Sequence, residues 1–401
     1  MRIHRSIKFV IFSSVFIGGS QAALAACNET LNPGADVASA VSGAAAGSTV
    51  CLNAGSYGNV SFTNIAKTAD VTIESTQSRG ASLNAKVSGS SRLKFRNLTF
   101  TGLDITGASK NIAVLSSTFT GQALVRPSGS AVNVVVDGST FDGISVCSSC
   151  YEGRLQVHGT EGVRITNNHF GGGGESDGIQ ISGSGAVIGP GNVFEGLLQG
   201  SYGRHIDAIQ GYGQSNTTIT GNYFFNNTIY IGMYDGGSNE TITNNVFGPS
   251  STNEQKLQLG AIQGLTFTHN TAKGNFVVAQ GAKSGMKRNI NAVYRNNVFD
   301  GTSIADTGDQ PGCASGCVYE SNLFTSSSSA RGTGNVIAKP TYSGGANPSS
   351  WAGYRLTSGS AGYKAATDNT DMGATTFGSG SPGPGSSEPV TLPAPTDLRV
   401  N

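Results

Sequence analysis

The chain is short of charge. Only 12% of its residues are Asp, Glu, Lys or Arg, roughly half the share usual in a globular protein. Its 25 basic residues, three of them within the first ten positions, are matched by 24 acidic ones. A nucleic-acid partner would require a broad basic face, so that class is excluded. Beyond residue 25 no stretch is long and apolar enough to anchor the chain in a bilayer, which excludes a membrane span. Any affinity for an anionic ligand must rest on a few local cations.

The first 25 residues read as a leader to be removed. Arg2, Arg5 and Lys8 give a basic start, Phe9 to Gly19 is a short apolar core, and Ala23-Leu24-Ala25 is a small-residue cleavage site. The mature protein is therefore expected outside the cytoplasm, secreted or periplasmic. Leu24-Ala25-Ala26-Cys27 also resembles a lipidation signal, but a lipid on Cys27 would leave Cys51 unmatched. The six cysteines fall into three near-neighbour pairs, Cys27/Cys51, Cys147/Cys150 and Cys313/Cys317. In an oxidising compartment these predict three disulfides. A redox pair at Cys147-Ser-Ser-Cys150 would want a helix in an α/β setting, and a four-thiolate zinc site would need two pairs that lie several coils apart.

What the chain has in abundance is glycine, 58 residues, and one recurring phrase. A small polar residue, any residue and Phe occur at Ser117, Ser139, Asn168, Asn192, Asn222, Asn245, Asn297 and Asn322, with Asn270-Thr-Ala272 as a degenerate copy. From Phe100 to Phe324 the intervals are 19, 22, 29, 24, 30, 23, 25, 27 and 25 residues. Self-similarity at this period marks a solenoid, whose coils bury their apolar faces against one another. The segments before the phrase, such as Val163-Arg-Ile-Thr166 and Thr218-Ile-Thr220, alternate with period two and predict strands. Stacked coils would place Asn168, Asn192, Asn222, Asn245, Asn270, Asn297 and Asn322 in an internal amide ladder.

The expected organisation is a leader at 1–25, an N-terminal cap at 26–57, the coils at 58–325, a closing segment at 326–378 and a flexible Gly/Ser/Pro tail at 379–401. Within the cap, Asp36 opens a short amphipathic helix and Thr49-Val-Cys-Leu52 reads as a strand. The fold class expected is all-β, a solenoid of about ten coils covered at its start by the helix, and it is expected to be a monomer.

These features carry a resemblance. The first segment, the Asn-x-Phe coils, and the closing Tyr354-Arg-Leu-Thr-Ser-Gly-Ser360 with Asp371-Met-Gly-Ala374 are similar to secreted bacterial proteins of the pectate-lyase-like superfold. The resemblance covers nearly all of the mature chain and implies a right-handed parallel β-helix. It also implies a polysaccharide partner, since the superfold includes lyases, epimerases, hydrolases and adhesins. Ser176-Asp-Gly-Ile179 followed by a stacked aspartate resembles the polygalacturonase-type hydrolases. The chain has no Gly-His-Gly or Arg-Ile-Lys turn, no Asp-Pro-His motif of the mannuronan epimerases and no pectate-lyase calcium cluster.

Aligning coils on the phrase brings one other strand of each into register: Arg154–His158, Gly178–Ser182, Ala208–Tyr212, Thr228–Gly232 and Lys256–Gly260. Alternation then predicts an outward column of Gln156, Gln180, Gln210, Tyr230 and Gln258, flanked by Arg154, His158, Tyr212 and Lys256. Amides, phenols and a few cations on a flat face suit the hydroxyls and carboxylates of an acidic polysaccharide. In the turns before this strand, Asp177 and Asp207 are expected one coil, about 5 Å, apart, near Arg204 and His205. Such a pair can share a proton, hold a cation such as calcium, or serve as acid and base. No other cofactor is suggested. β-Elimination on a uronan is the leading expectation, with Arg204, His205 or Arg154 neutralising the carboxylate, Lys256 or His205 as base and Tyr230 or Tyr212 as acid. Hydrolysis or epimerisation through Asp177 and Asp207 and a non-catalytic binding module are the alternatives.

Overall fold

The computed structural model describes residues 26–147, 150–200, 205–252 and 256–377. The expected leader and tail, and Arg204, lie outside these residues. Its strands form stacks in which each strand pairs in parallel with the strand one coil away. A 13-stranded sheet runs from Glu29–Leu31 to Val318–Glu320. A second hydrogen-bonded system contains three further stacks: a short one from Gln214–Ser215 to Cys313–Ser315, and two longer ones joined in the first coils where Ala81–Ser88 and Thr99–Gly107 are long enough to serve both. One of the longer stacks, here the front sheet, runs from Gly55–Thr63 through Gly153–Glu161, Asp177–Ser184, Asp207–Gly211, Ile229–Met233 and Leu257–Leu259 to Ser303–Asp306. The other longer stack, the third sheet, carries the phenylalanines. All connections between coils are parallel crossovers, and such crossovers are right-handed. Local antiparallel pairing occurs among the described residues at Gly281 with Pro311 and, in the closing segment, at Tyr342 with Leu356.

The repeated phrase explains the interior. Phe100, Phe119, Phe141, Phe170, Phe194, Phe224 and Phe247 stack ring on ring, with centroids 4.2 to 5.0 Å apart. At the degenerate copy, Ala272, the column is bridged by Phe267 from the neighbouring sheet, 6.2 Å from Phe247 and 6.3 Å from Phe299. The asparagine ladder is present from Asn168 to Asn322. The carbonyl oxygens accept from the preceding ladder residue, by its backbone N–H at 2.9 Å for Asn168 to Asn192 and 3.0 Å for Asn245 to Asn270, and by its side-chain amide at 2.9 Å for Asn192 to Asn222. Each side-chain amide donates to a strand carbonyl, as Asn245 does to Ile219 at 2.9 Å. Asn335 adds one more rung, accepting from Asn322 N–H at 3.0 Å. The coils therefore continue past 325, to Val336–Ile337. The ladder needs a sharp turn just before it, met by a left-handed residue at Asn167, Asn244 and Asn296 (φ 55°, 56° and 59°).

Val37–Gly43 forms the expected helix, capped by Asp36 Oδ1 accepting from Ser39 N–H at 3.0 Å, and its Val37 and Val41 join the main core. The cysteines are bonded as Cys27–Cys51, Cys147–Cys150 and Cys313–Cys317. The closing segment closes a side of the solenoid. It turns back along the third sheet, where Tyr342, Trp351, Tyr354 and Met372 cover Tyr223, Val246, Val298 and Leu323. Gly373 N–H donates to Asn296 O at 2.8 Å, and Ala374 N–H to Thr271 Oγ1 at 3.0 Å, one coil earlier. The front sheet and the 13-stranded sheet lie outside this cover, apart from Arg331, which pairs with Asp306 at the end of the front sheet at 2.5 Å.

Candidate functional site

Register fixes which side chains share the front face. Gln156 pairs with Gln180, Gln180 with Gln210, Gln210 with Gly232, and Gly232 with Gln258. Four glutamines thus form the expected outward column, and Gly232 occupies the place assigned to Tyr230. Two residues further along the strands lies a second outward column of His158, Ser182, Tyr212 and Tyr234. Gln156, Gln180 and Gln258 are buried beneath neighbouring side chains, while Gln210, Tyr212 and Tyr234 are half-buried and His158 is exposed. The glutamines are therefore the floor of the face and the second column its accessible chemistry.

The two columns meet at Tyr212. Its hydroxyl accepts from Gln156 Nε2 at 2.9 Å and shares a 2.9 Å hydrogen bond with His158 Nδ1. The next aromatic, Tyr234, has its phenol held well above the usual range, first by burial and then by the negative charges of Asp207 and Asp235. Lys283 reaches Asp235 at 2.6 Å and lies 5.6 Å from the Tyr234 ring centroid. Gly232 has a steric reason: a Cβ there would come within 2.5 Å of Asp207 Oδ2. The break in the glutamine column is the space that the Asp207 carboxylate occupies.

Asp177 and Asp207 lie on consecutive coils as expected, with Asp177 Oδ1 accepting Asp207 N–H at 2.8 Å. Burial, then the charge of Asp207, pushes the Asp177 carboxyl far above the normal carboxylate range. Both residues are nearly inaccessible, at 1% and 3%. His205 is exposed at the turn before the strand. Among the described residues no three acidic, histidine or cysteine groups converge to hold a metal ion.

Three expected site residues do not reach the face. Arg154 is fully buried, with its guanidinium donating to Phe141 O at 2.8 Å, Gly171 O at 2.5 Å and Gly173 O. Burial lowers it to about 10, which still leaves it charged at neutral pH. Tyr230 lies in the core, its hydroxyl donating to Gly248 O at 2.5 Å. Lys256 Nζ is buried against Thr228 O at 2.7 Å and Asn227 O at 3.2 Å. All three stand at the corner where the chain enters the front strand. There, carbonyls leave the ladder geometry and long polar side chains satisfy them.

No protein-family model matches the chain, and comparison with curated proteins gives no match. Solved structures do resemble it. A PL6 alginate lyase in complex with a trisaccharide matches 88% of this chain and 95% of its own, with 12% identity and a TM-score of 0.50. The pectate lyase Pel9A matches 88% of this chain and 97% of its own, with 14% identity and a TM-score of 0.47. The PL6 family alginate lyase AlyGC matches 88% of this chain with 13% identity and a TM-score of 0.46, and this chain spans only 59% of its length. Likeness at such identity is one of fold.

The fold is a parallel β-helix.

In this β-helix the sequence reading missed Tyr234, Asp235 and Lys283. The signal was present: Gly232-Met-Tyr234 repeats the spacing of Gln210-Gly-Tyr212. Counting residues from the Asn-x-Phe phrase slid that one strand by two positions. What the observed arrangement offers is a hydrogen-bonded imidazole and phenol on an open polar face, with the buried carboxylate of Asp207 near the next phenol, Tyr234.

Proposed function

We propose that the protein is secreted and binds an acidic polysaccharide along the front sheet, cleaving it by β-elimination with His158 and Tyr212 as the proton-transferring pair. The leader sequence and three disulfides support secretion. The observation that carries the chemistry is the Tyr212 hydroxyl between Gln156 and His158 at 2.9 Å from each. In the elimination, His158 takes the proton at C5 of a uronate. The electron pair forms the C4–C5 double bond as the C4–O bond breaks, and Tyr212 protonates the leaving oxygen. A general acid and base held this close account for a rate gain of about 10²–10⁴ each. His205, exposed at the turn before the strand, lies too far along it from Tyr212 to reach the reacting uronate and is assigned to a neighbouring acidic residue of the polymer. Lys256, Tyr230 and Arg154 carry no role in this reading.

Hydrolysis through Asp177 and Asp207 is the second reading. Burial and the neighbouring charge of Asp207 raise the Asp177 carboxyl, the direction that the acid of such a pair requires. The burial of both residues opposes it.

The deciding assay follows ultraviolet absorbance of unsaturated products and reducing ends together, on a panel of uronans. A parallel rise of both is expected. Reducing ends alone would establish hydrolysis, and retained binding without either would make the protein a binding module.

A further inference from the structure

Tyr151 is one of three large apolar side chains exposed among the described residues, at 39%, and it is held in place from two sides. Just before it, the Cys147–Cys150 disulfide closes its loop. From the coil below, Gln122 Nε2 donates to Tyr151 O at 2.7 Å and to Gly153 O at 2.6 Å. An exposed ring whose backbone is fastened at both ends has little left to lose on binding, which favours a ligand contact. Its ring centroid is 5.6 Å from that of His158. Beneath it the front column changes character: Leu124 stands in register with Gln156 and replaces the glutamine amide by an apolar side chain. Tyr151, Leu124, Gln122 and Cys150 line a hollow of about 410 Å³. On its border Arg126, next along the strand from the residue paired with Val157, is held by Asp104 through two contacts of 2.9 and 2.8 Å.

We propose that this hollow is a subsite for one further uronate residue of the polymer, beyond His158 towards the N-terminal coils. The apolar face of the sugar lies on Tyr151 and Leu124, and its carboxylate faces Arg126. An aromatic face suits the C–H side of a sugar ring. A guanidinium with planar donors suits a carboxylate, and Asp104 keeps it aimed until a ligand arrives. The proposal rests on the reading of the front face as a polysaccharide site. It adds a direction: the polymer runs across the coils from Tyr234 past His158 to Tyr151.

The test uses the full-length protein with size-graded alginate and pectate oligosaccharides, measuring affinity against length. For Tyr151→Ala, oligosaccharides long enough to pass His158 should bind about tenfold more weakly, while the shortest that bind should be unaffected. Tyr151→Trp should restore the longer ones, and Gln122→Ala, which keeps the ring but frees its loop, should show a partial loss. Equal weakening at every length would overturn the subsite, because Tyr151 would then be supporting His158. No weakening at any length would overturn it as well. If the unaltered protein binds neither series, the polysaccharide reading itself falls and the subsite with it, a result separable from the other two.

Discussion

Arg154, Tyr230 and Lys256 occupy one position in coils of the same stack, and all three spend their polar atoms on backbone carbonyls. Their substitution should therefore be felt as stability. Lys256→Ala strips a donor from Thr228 O and Asn227 O and is expected to cost about 2–4 kcal/mol. A denaturant midpoint would show this, with turnover per folded molecule unchanged. Tyr212→Phe should do the reverse, keeping the melting behaviour close to that of the parent while turnover falls about 10²–10⁴-fold. Steady-state rates on a responsive uronan would check it. A third residue gives a pH signature. Glu240 is buried in the solenoid, and burial raises its carboxyl to about 7 from an ordinary 4.5. A carboxyl raised on folding favours the native state below its unfolded value, and that contribution is lost as pH climbs through about 7. Stability should thus decline from mildly acidic to mildly alkaline solution by on the order of 2–3 kcal/mol from this group. Glu240→Gln should flatten the decline, as urea melts across that pH range would reveal.

At the scale of the element, the coil is a unit whose worth depends on its neighbours. Ladder and ring column run through every coil from Asn168 onward, so a local fault is shared by the coils on either side. Phe267 is the most exacting case, since its ring fills the place that Ala272 leaves between Phe247 and Phe299. Phe267→Ala would open a void in the ring column, at a cost of about 3–5 kcal/mol. Thermal unfolding should show the loss, and no comparable loss should follow at the partly exposed Phe225.

For the whole molecule, the direction taken by the closing segment decides which face is closed. Tyr342, Trp351, Tyr354 and Met372 cover the third sheet, and the polar front sheet is left to solvent. A chain ending at residue 339 should expose Tyr223, Val246, Val298 and Leu323. An apolar patch of this kind invites association. Increased binding of a hydrophobic dye and concentration-dependent sedimentation are expected, with front-face ligand affinity retained in the soluble fraction.

The solenoid was legible in the sequence because its determinants are local and repeated. The Asn-x-Phe phrase, its period of about 25 residues and the alternation within strands state the same fold many times, so Ala272 could be recognised as a defective copy. Cysteine spacing was equally plain. The site was less legible, for reasons of geometry. A strand slipped by two positions keeps its inward and outward pattern, so alternation could not warn that Gly232, and not Tyr230, belongs beside Gln210 and Gln258. Nor does alternation separate an outward position in mid-strand from one at a corner, where Arg154 and Lys256 curl back onto carbonyls. Sequence alone determined the stack, its ladder and its glutamine floor. Only the tertiary structure decided that Tyr212 meets His158 from two coils away, and that the closing segment covers the third sheet, because both depend on how parts distant in the chain are set against each other.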